Sequence, residues 1–358
     1  MPVKENPMDP LTARMKRAWE GRVSGCMLGK AVELYSMTQG QALLTAYLTK
    51  ADALPLRDYI PLIPDAPDAL LKPACRGHFD KSAPDDDINY SVLALEMLET
   101  HGRELQTTDV ARTWLNRLPI GMTFTAERAA YRKLAMDGAE WFALGAPLGF
   151  DVTDCADNPH NEWIGAQIRA DVYGWVAPGQ PDLAAKLARV DAELSHRDNG
   201  VYGAVIVAAW GASIPTHSTL EAALDSALEF IPKDSGAAEA VALGRRLAKA
   251  GEGTRAIIDA YGELSPVHTL NNLALVVWAL LRAPDDFGAA IGDVVAAGWD
   301  TDCNGATVGA LWALQDKAIP KAWTRPWNGC IGVSLAGREA ADLDDLAERT
   351  AEVARRIE

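Results

Sequence analysis

The sequence is poor in the features that mark disulfide-bonded, zinc-binding and membrane-spanning proteins. Its 358 residues contain five cysteines, scattered singly at Cys26, Cys75, Cys155, Cys303 and Cys330. Without paired spacings such as C-x-x-C, they indicate neither a disulfide framework nor a zinc ribbon. Unbroken apolar runs of about 18 residues are lacking, and the first residues have no signal-peptide core. We therefore expect a cytoplasmic protein that makes no membrane contact.

Positive charge is also in short supply. Lysine and arginine total 34 against 49 aspartates and glutamates, which gives a formal net charge of −15 at pH 7. Such a field repels phosphate backbones, so we expect no nucleic-acid partner. It is compatible with a local acidic pocket that binds a divalent cation.

Alternating strand patterns are scarce, whereas alanine-rich stretches with apolar residues at helical spacing dominate the chain. The clearest of these stretches are 183–194, 200–213, 220–231, 237–250 and 269–283. Near the C-terminus, one helical stripe is formed by Leu343, Leu346, Val353 and Ile357. The sequence predicts an all-α protein, with a flexible tail at 1–10 and a single domain of many helices at 11–358.

Two irregular stretches interrupt the helical pattern. Residues 51–84 are rich in proline and cannot form one helix. Residues 145–163 combine glycine, proline and short polar side chains. Long loops within a compact fold are often functional, so we expect both stretches to lie at the rim of a site.

A ridge of glycines marks the first predicted helix. Gly21, Gly25 and Gly29 recur at four-residue steps, and a second small-residue face contains Gly305 and Gly309. Each glycine costs up to about 1 kcal/mol within a helix, so the pattern indicates a packing requirement. The charged residues around the first ridge argue against a membrane helix. We predict that the two glycine-bearing helices pack closely and bring their flanking acids together.

Aspartates cluster at the beginnings of two helical segments. Asp85, Asp86 and Asp87 follow a proline, and Asp300 and Asp302 precede the second glycine face. A helix dipole stabilises one or two acids in a first turn, but three adjacent carboxylates repel one another. A hard divalent cation relieves such repulsion, and oxygen donors suit Mg²⁺, Mn²⁺ or Ca²⁺ better than zinc. The clusters therefore predict a metal site, in which two ions could share the carboxylates.

Three segments resemble the motifs of one family. GCMLGKAVE resembles a G-D-A-x-G-x-P-x-E element, PDDDINYSVLALE a T-D-D-T-x-M-x-L-A motif, and GWDTDCNGATVGALWA a G-x-D-T-D-[ST]-x-A-x-x-G-A-x-x-G element. In this order they resemble the ADP-ribosylglycohydrolases, as do EWIGAQIRADVYGW and SHRDNGVYGAVIVAAW between them. The resemblance covers most of the chain. It implies an all-α, orthogonally packed helical bundle with a two-magnesium site between helices.

The resemblance also implies the ligands of that site. Four aspartates match metal ligands of the family: Asp86, Asp87, Asp300 and Asp302. Asp85 and Cys303 stand where the family has hydroxyl-bearing ligands, so we count both as candidate ligands of a different kind. A thiol is a poor ligand for magnesium, which puts the contribution of Cys303 in doubt. Cys26 replaces an aspartate of the first element.

Glu33 matches the family's glutamate near the scissile ribose. We predict catalytic roles for Glu33, Asp86 and Asp302, since a carboxylate can act as general base or stabilise a cationic sugar. Aromatic side chains beside the site can stack on a base. The residues predicted to contact the substrate are Glu33, Trp299, Asn304 and Tyr202.

The predicted function is a metal-dependent glycosidic hydrolase that releases ADP-ribose from an ADP-ribosylated protein or a small molecule. The expected cofactor is Mg²⁺, with two ions and with Mn²⁺ as a substitute, in a monomer or small homo-oligomer. A nucleoside or small N-riboside hydrolase is an alternative, because Asp85 and Cys303 are unusual for the family and Trp299 lies next to the predicted metal loop. A non-catalytic ligand-binding protein is another. An isoprenoid synthase would need a second aspartate motif that DTDCNGATV does not match.

Overall fold

Apolar residues at helical spacing form helices along nearly the whole chain in the computed structural model, which describes residues 8–357. Eighteen α-helices lie within these residues. They are α1 Pro10–Lys30, α2 Glu33–Gln39, α3 Gln41–Lys50, α4 Asp86–His101, α5 Thr107–Arg117, α6 Thr125–Asp137, α7 Ala139–Leu144, α8 Asp171–Trp175, α9 Pro181–Ala192, α10 Asp198–Ser213, α11 Leu220–Ala227, α12 Gly236–Ala250, α13 Arg255–Tyr261, α14 Thr269–Arg282, α15 Phe287–Ala296, α16 Thr301–Ala313, α17 Lys321–Thr324 and α18 Leu343–Ile357. The prediction of an all-α fold is confirmed.

Short 3₁₀ helices occupy several of the connections between these helices. They span Lys72–Ala74, Gly102–Glu104, Ile120–Met122, Val152–Ala156, Ile164–Arg169, Ile214–Thr216, Leu228–Phe230 and Arg325–Trp327. The proline-rich stretch at 51–84 contains one of them and is otherwise irregular, as predicted.

The glycine ridges of α1 and α16 lie in direct backbone contact. A Cβ atom on Gly25 would come closer than 3.0 Å to the carbonyl oxygen of Gly305, and the same holds between Gly21 and Gly309. Gly29 lies equally close to Thr301, so the two helices run antiparallel. The C-terminal end of α1 therefore meets the N-terminal end of α16, as the spacing of the glycines predicts.

The beginning of the described chain is fixed by polar contacts. Asp9 caps α1, and its carboxylate accepts a hydrogen bond from the backbone N–H of Thr12 at 3.2 Å. The same carboxylate forms an ion pair with Arg355 at 2.6 Å. Residues 1–7 of the predicted flexible tail lie outside the described residues. The division into a tail and a single domain remains a prediction.

A small hairpin near the C-terminus departs from the purely helical expectation. Strands β1 Cys330–Leu335 and β2 Arg338–Asp342 pair antiparallel. The hairpin is too short to produce a clear alternating pattern, and the two-residue turn at 336–337 supplies a Gly with positive φ. Ser82 ties it to the segment before α4, because its N–H donates to the carbonyl of Cys330 at 2.9 Å and its Oγ accepts from Gly332 N–H at 2.9 Å.

The last helix buries one face, as its sequence predicts. All four apolar stripe residues are at most 6 % exposed: Leu343, Leu346, Val353 and Ile357. Among the described residues, no helix has both the length and the apolar character needed to cross a bilayer.

Gly25→Ala tests the backbone contact between α1 and α16. The added methyl group would overlap the Gly305 carbonyl, and overpacking of this kind costs about 1–3 kcal/mol or more. We expect the unfolding midpoint in urea to fall, or soluble protein to be lost. Gly253→Ala is the matched control, since its Cβ would meet open space. Equal midpoints for the two variants would contradict the proposed contact.

Candidate active site

Three helix N-termini bring acidic residues to one place beside the α1–α16 contact. Glu33 begins α2, three residues after Lys30, the last residue of α1. Asp85 is the N-cap of α4, and Asp300 is the N-cap of α16. Because the N-terminus of a helix carries partial positive charge, each of these positions favours a carboxylate. Capping alone does not bring these acids together, because their proximity depends on how the three helices pack.

The carboxylates are close enough to share a cation. Oxygen atoms of Glu33, Asp85 and Asp302 lie within 4.8 Å of one another, and so do those of Asp85, Asp86 and Asp87. A third group within the same distance consists of Asp300, Asp302 and Cys303. Asp302 and Asp85 each belong to two groups, so the predicted halves of the site form one cluster.

Two carboxylate oxygens in this cluster are buried without a hydrogen-bond partner among residues 8–357. They are Oδ1 of Asp302 and Oδ2 of Asp87, and both residues are at most 1 % exposed. An unpaired buried charge is costly, which makes these oxygens suited to a hard cation. The donor set of carboxylates fits Mg²⁺ or Mn²⁺. The thiol of Cys303 does not fit these ions, and burial raises its pKa well above the ordinary value.

Burial and mutual repulsion raise the pKa of most acids in the cluster. Burial, followed by the charges of Asp302 and Asp300, raises the pKa of Glu33 to about 12. The pKa values of Asp86 and Asp300 are also raised, again by burial first and by neighbouring carboxylates second. Without a cation, the folded chain therefore holds protons in this cluster at neutral pH.

Asp85 is the exception among these acids. Burial alone would raise its pKa, but the charge and hydrogen bond of Lys30 hold the pKa below its ordinary value. Lys30 Nζ donates to Asp85 Oδ2, and the backbone N–H of Asp87 donates to Asp85 Oδ1 at 2.9 Å.

Arg22 fixes Asp87 from the protein interior. Its Nη2 donates to Asp87 Oδ1 at 3.2 Å, its Nη1 to Asp171 at 2.6 Å and its Nε to Ser91 at 2.6 Å. The guanidinium is fully buried, so these ion pairs are shielded from water. Asp87 therefore has one oxygen committed to Arg22 and one oxygen free.

A cavity of about 340 Å³ opens over the acidic cluster. It is lined by Lys30, Glu33, Met37, Pro84, Asp85, Asp86, Met122, Phe124, Thr125, Glu127, Trp163, Ile164, Gly165, Ile168, Val267, Asp300 and Cys303. Carboxylates and apolar side chains both contribute to this lining. Such a combination is typical of small-molecule sites.

Comparisons with known proteins agree with this geometry. The sequence profile of the ADP-ribosylglycohydrolase family matches residues 7–357. The chain belongs to the ADP-ribosylglycohydrolase family. A solved structure named "ADP-ribosylglycohydrolase-related protein complex" is 20% identical, with a TM-score of 0.54 over 96% of this chain and 100% of that chain, and shares the fold. Among curated proteins, none matches the sequence significantly.

Five of the predicted site residues line the cavity: Glu33, Asp85, Asp86, Asp300 and Cys303. Asp87 and Asp302 lie behind them in the same cluster. Each of the two irregular stretches predicted to form the rim contributes one residue to the cavity lining, Pro84 from 51–84 and Trp163 from 145–163.

The structure gives other positions to the remaining predicted substrate contacts, since Trp299, Asn304 and Tyr202 are not in the described lining. Asn304 is fully buried and donates its Nδ2 to Asn272 Oδ1 at 2.7 Å. The backbone carbonyl of Trp299 accepts a hydrogen bond from Ser36 Oγ at 2.9 Å. Tyr202 lies on α10. Contact of these three residues with substrate stays a prediction.

Sequence reasoning missed two charged residues of the cavity. Lys30 lies within the first family-like segment, where the nearest acid in the sequence is Glu33. Glu127 on α6 faces the cavity with its Oε1 held by Arg169 at 2.7 Å. Nothing near Glu127 in the sequence distinguishes it from an ordinary surface-helix glutamate.

The raised pKa values predict how stability depends on pH. An unfolded carboxyl titrates near pH 4 and is already ionised between pH 6 and 8. Unfolding in this pH range therefore releases the protons that the folded cluster retains. In a chelating buffer, the free energy of unfolding should therefore fall as pH rises. Glu33→Gln removes a group whose pKa is raised to about 12, and this variant should lose less stability between pH 6 and 8, measured by urea unfolding.

Asp234→Asn, at an exposed position, is the control and should keep the wild-type slope. If Glu33→Gln followed the wild-type slope as closely as the control, the cluster would not be the place where the folded chain retains these protons.

Proposed function

We propose that this chain is a metal-dependent hydrolase that releases ADP-ribose from an ADP-ribosylated protein or small molecule. One observation carries the proposal. Carboxylates from three helix N-termini converge beside a cavity, and two of their buried oxygens have no hydrogen-bond partner in the described part of the chain. Membership of the ADP-ribosylglycohydrolase family supports a glycohydrolase reaction at this site.

Mg²⁺ is the proposed cofactor, with Mn²⁺ as a substitute. Asp300 and Asp302 are the main proposed ligands, because both are buried at the N-terminus of α16 and neither is paired with a described cation. Asp86 lies in the neighbouring group and is partly exposed toward the cavity. A divalent ion held there supplies Lewis acidity toward water and the cis hydroxyls of a ribose.

Glu33 is the proposed general base. It lines the cavity and is partly exposed, whereas Asp85 and Asp87 are engaged by Lys30 and Arg22. A divalent ion bound beside Glu33 would favour its ionised form. Glu33 would then accept a proton from the attacking water while the bond from the anomeric carbon to the leaving group breaks and the leaving group takes up a proton from solvent. The remaining carboxylates of the cluster would stabilise the positive charge that develops on the sugar.

The apolar part of the cavity lining is the proposed position for the non-ribose part of the substrate. Trp163 and Phe124 offer aromatic surface in the cavity lining, and Phe124 is 49% exposed. Aromatic rings can stack on a planar base or cover an apolar leaving group.

A release assay with mass-spectrometric detection tests the proposed reaction. It would present ADP-ribosyl-arginine and ADP-ribosyl-serine peptides, O-acetyl-ADP-ribose and a panel of nucleosides with Mg²⁺. We expect free ADP-ribose from the wild type and none from Asp302→Asn, which removes a charge from two of the ligand groups. Asp234→Asn is the exposed control and should remain active.

The pattern of products separates the alternatives. Ribose from a nucleoside, with intact peptides, would replace the proposal by a small-riboside hydrolase. Intact substrates throughout, with Mg²⁺ bound, would indicate a ligand-binding protein.

Glu33→Gln tests the role of the base. We expect kcat to fall by about 10²–10⁴-fold, because the amide cannot accept the proton from water. The affinity for Mn²⁺ should change far less than in Asp302→Asn. Glu263→Gln, an exposed change of the same type, is the control. A Glu33→Gln enzyme with the kcat of this control would rule out the proposed base.

A further inference from the structure

Lys30 places a cation inside the acidic cluster. It is the last residue of α1, and its side chain lines the cavity with only 15% of its surface exposed. Its ammonium contacts the fully buried carboxylate of Asp85. Asp85 belongs to the same group as Glu33 and Asp302, whose oxygens lie within 4.8 Å of one another. The cluster therefore already contains one positive charge of its own.

The contacts of Asp85 show that its oxygens are in use. Oδ2 accepts from Lys30, and Oδ1 accepts from the backbone N–H of Asp87 at 2.9 Å. Asp302 differs, because its buried Oδ1 has no partner among the described residues. Among the described residues, Lys30 pairs with Asp85 and Arg22 pairs with Asp87, whereas neither Asp300 nor Asp302 forms a salt bridge.

We propose that the Lys30 ammonium occupies one of the cation positions of the cluster, so that the site takes a single divalent ion on the Asp300–Asp302 side. The inference rests on the proposed function, because it concerns the same metal site. Paired ions in two-metal sites lie about 3.5–4 Å apart and share carboxylates. An ammonium bound to Asp85 repels a second divalent ion there and occupies its space.

Lys30→Met tests this assignment by metal stoichiometry. The probe is Mn²⁺, measured by equilibrium dialysis with elemental analysis and by electron paramagnetic resonance of the loaded protein. We expect one Mn²⁺ per wild-type chain with the spectrum of an isolated ion. Lys30→Met should bind two ions and show the exchange-coupled spectrum of a close pair. Lys30→Arg keeps the positive charge and should bind one ion, as should Lys50→Met at an exposed position.

The outcomes separate this inference from the proposed function. Two coupled ions in the wild type would overturn the role of Lys30 and leave a metal-dependent hydrolase in place. A folded Lys30→Met protein that still binds one ion would also overturn it. Binding of no Mn²⁺ by the wild type would overturn the inference and the proposed function together. The wild-type spectrum decides between one ion and a pair even if the variant does not fold.

Discussion

The contact between the backbones of α1 and α16 determines where the functional side chains lie. Gly25 and Gly305 face each other so closely that neither position has room for a Cβ atom. At the end of this contact, the hydroxyl of Thr301 donates to the carbonyl of Gly29 at 2.8 Å and locks the end of α1 to the beginning of α16. The chain reaches Lys30 and Glu33 immediately afterwards, and Asp300 lies directly before Thr301. The glycine contact therefore sets the distance between the two sides of the acidic cluster.

This arrangement carries an electrostatic cost. The buried acids raise one another's pKa. Asp302 and Asp87 each retain a carboxylate oxygen that has no hydrogen-bond partner among the described residues. Arg22 and Lys30 neutralise part of the charge through ion pairs with Asp87 and Asp85. The balance is left to protons or to a bound cation, so the fold is most stable when the site is loaded. The acidic cluster therefore lowers the stability of the metal-free fold and creates a region of high negative potential beside the cavity.

Some of this architecture could be read from local sequence spacing. The glycines of α1 and α16 and the acids beside them lie at short, regular intervals, so their packing and convergence were predictable. The hairpin at 330–342 was not, because two short strands leave little periodic signal. Lys30 and Asp85 are 55 positions apart, and Glu127 and Arg169 are 42 apart. Pairs of this kind depend on how helices cross, which a single sequence does not encode locally.

The central claim is that the acids gathered at the α1–α16 contact form a cation site, and anomalous X-ray diffraction from crystals grown with Mn²⁺ tests it most directly. The account predicts a peak at coordination distance, about 2.0–2.6 Å, from oxygens of Asp300 and Asp302. It also predicts that Lys30 remains on Asp85 in the same crystals. A cluster with no peak, whose carboxyls instead share protons among themselves while Mn²⁺ binds elsewhere, would contradict the account.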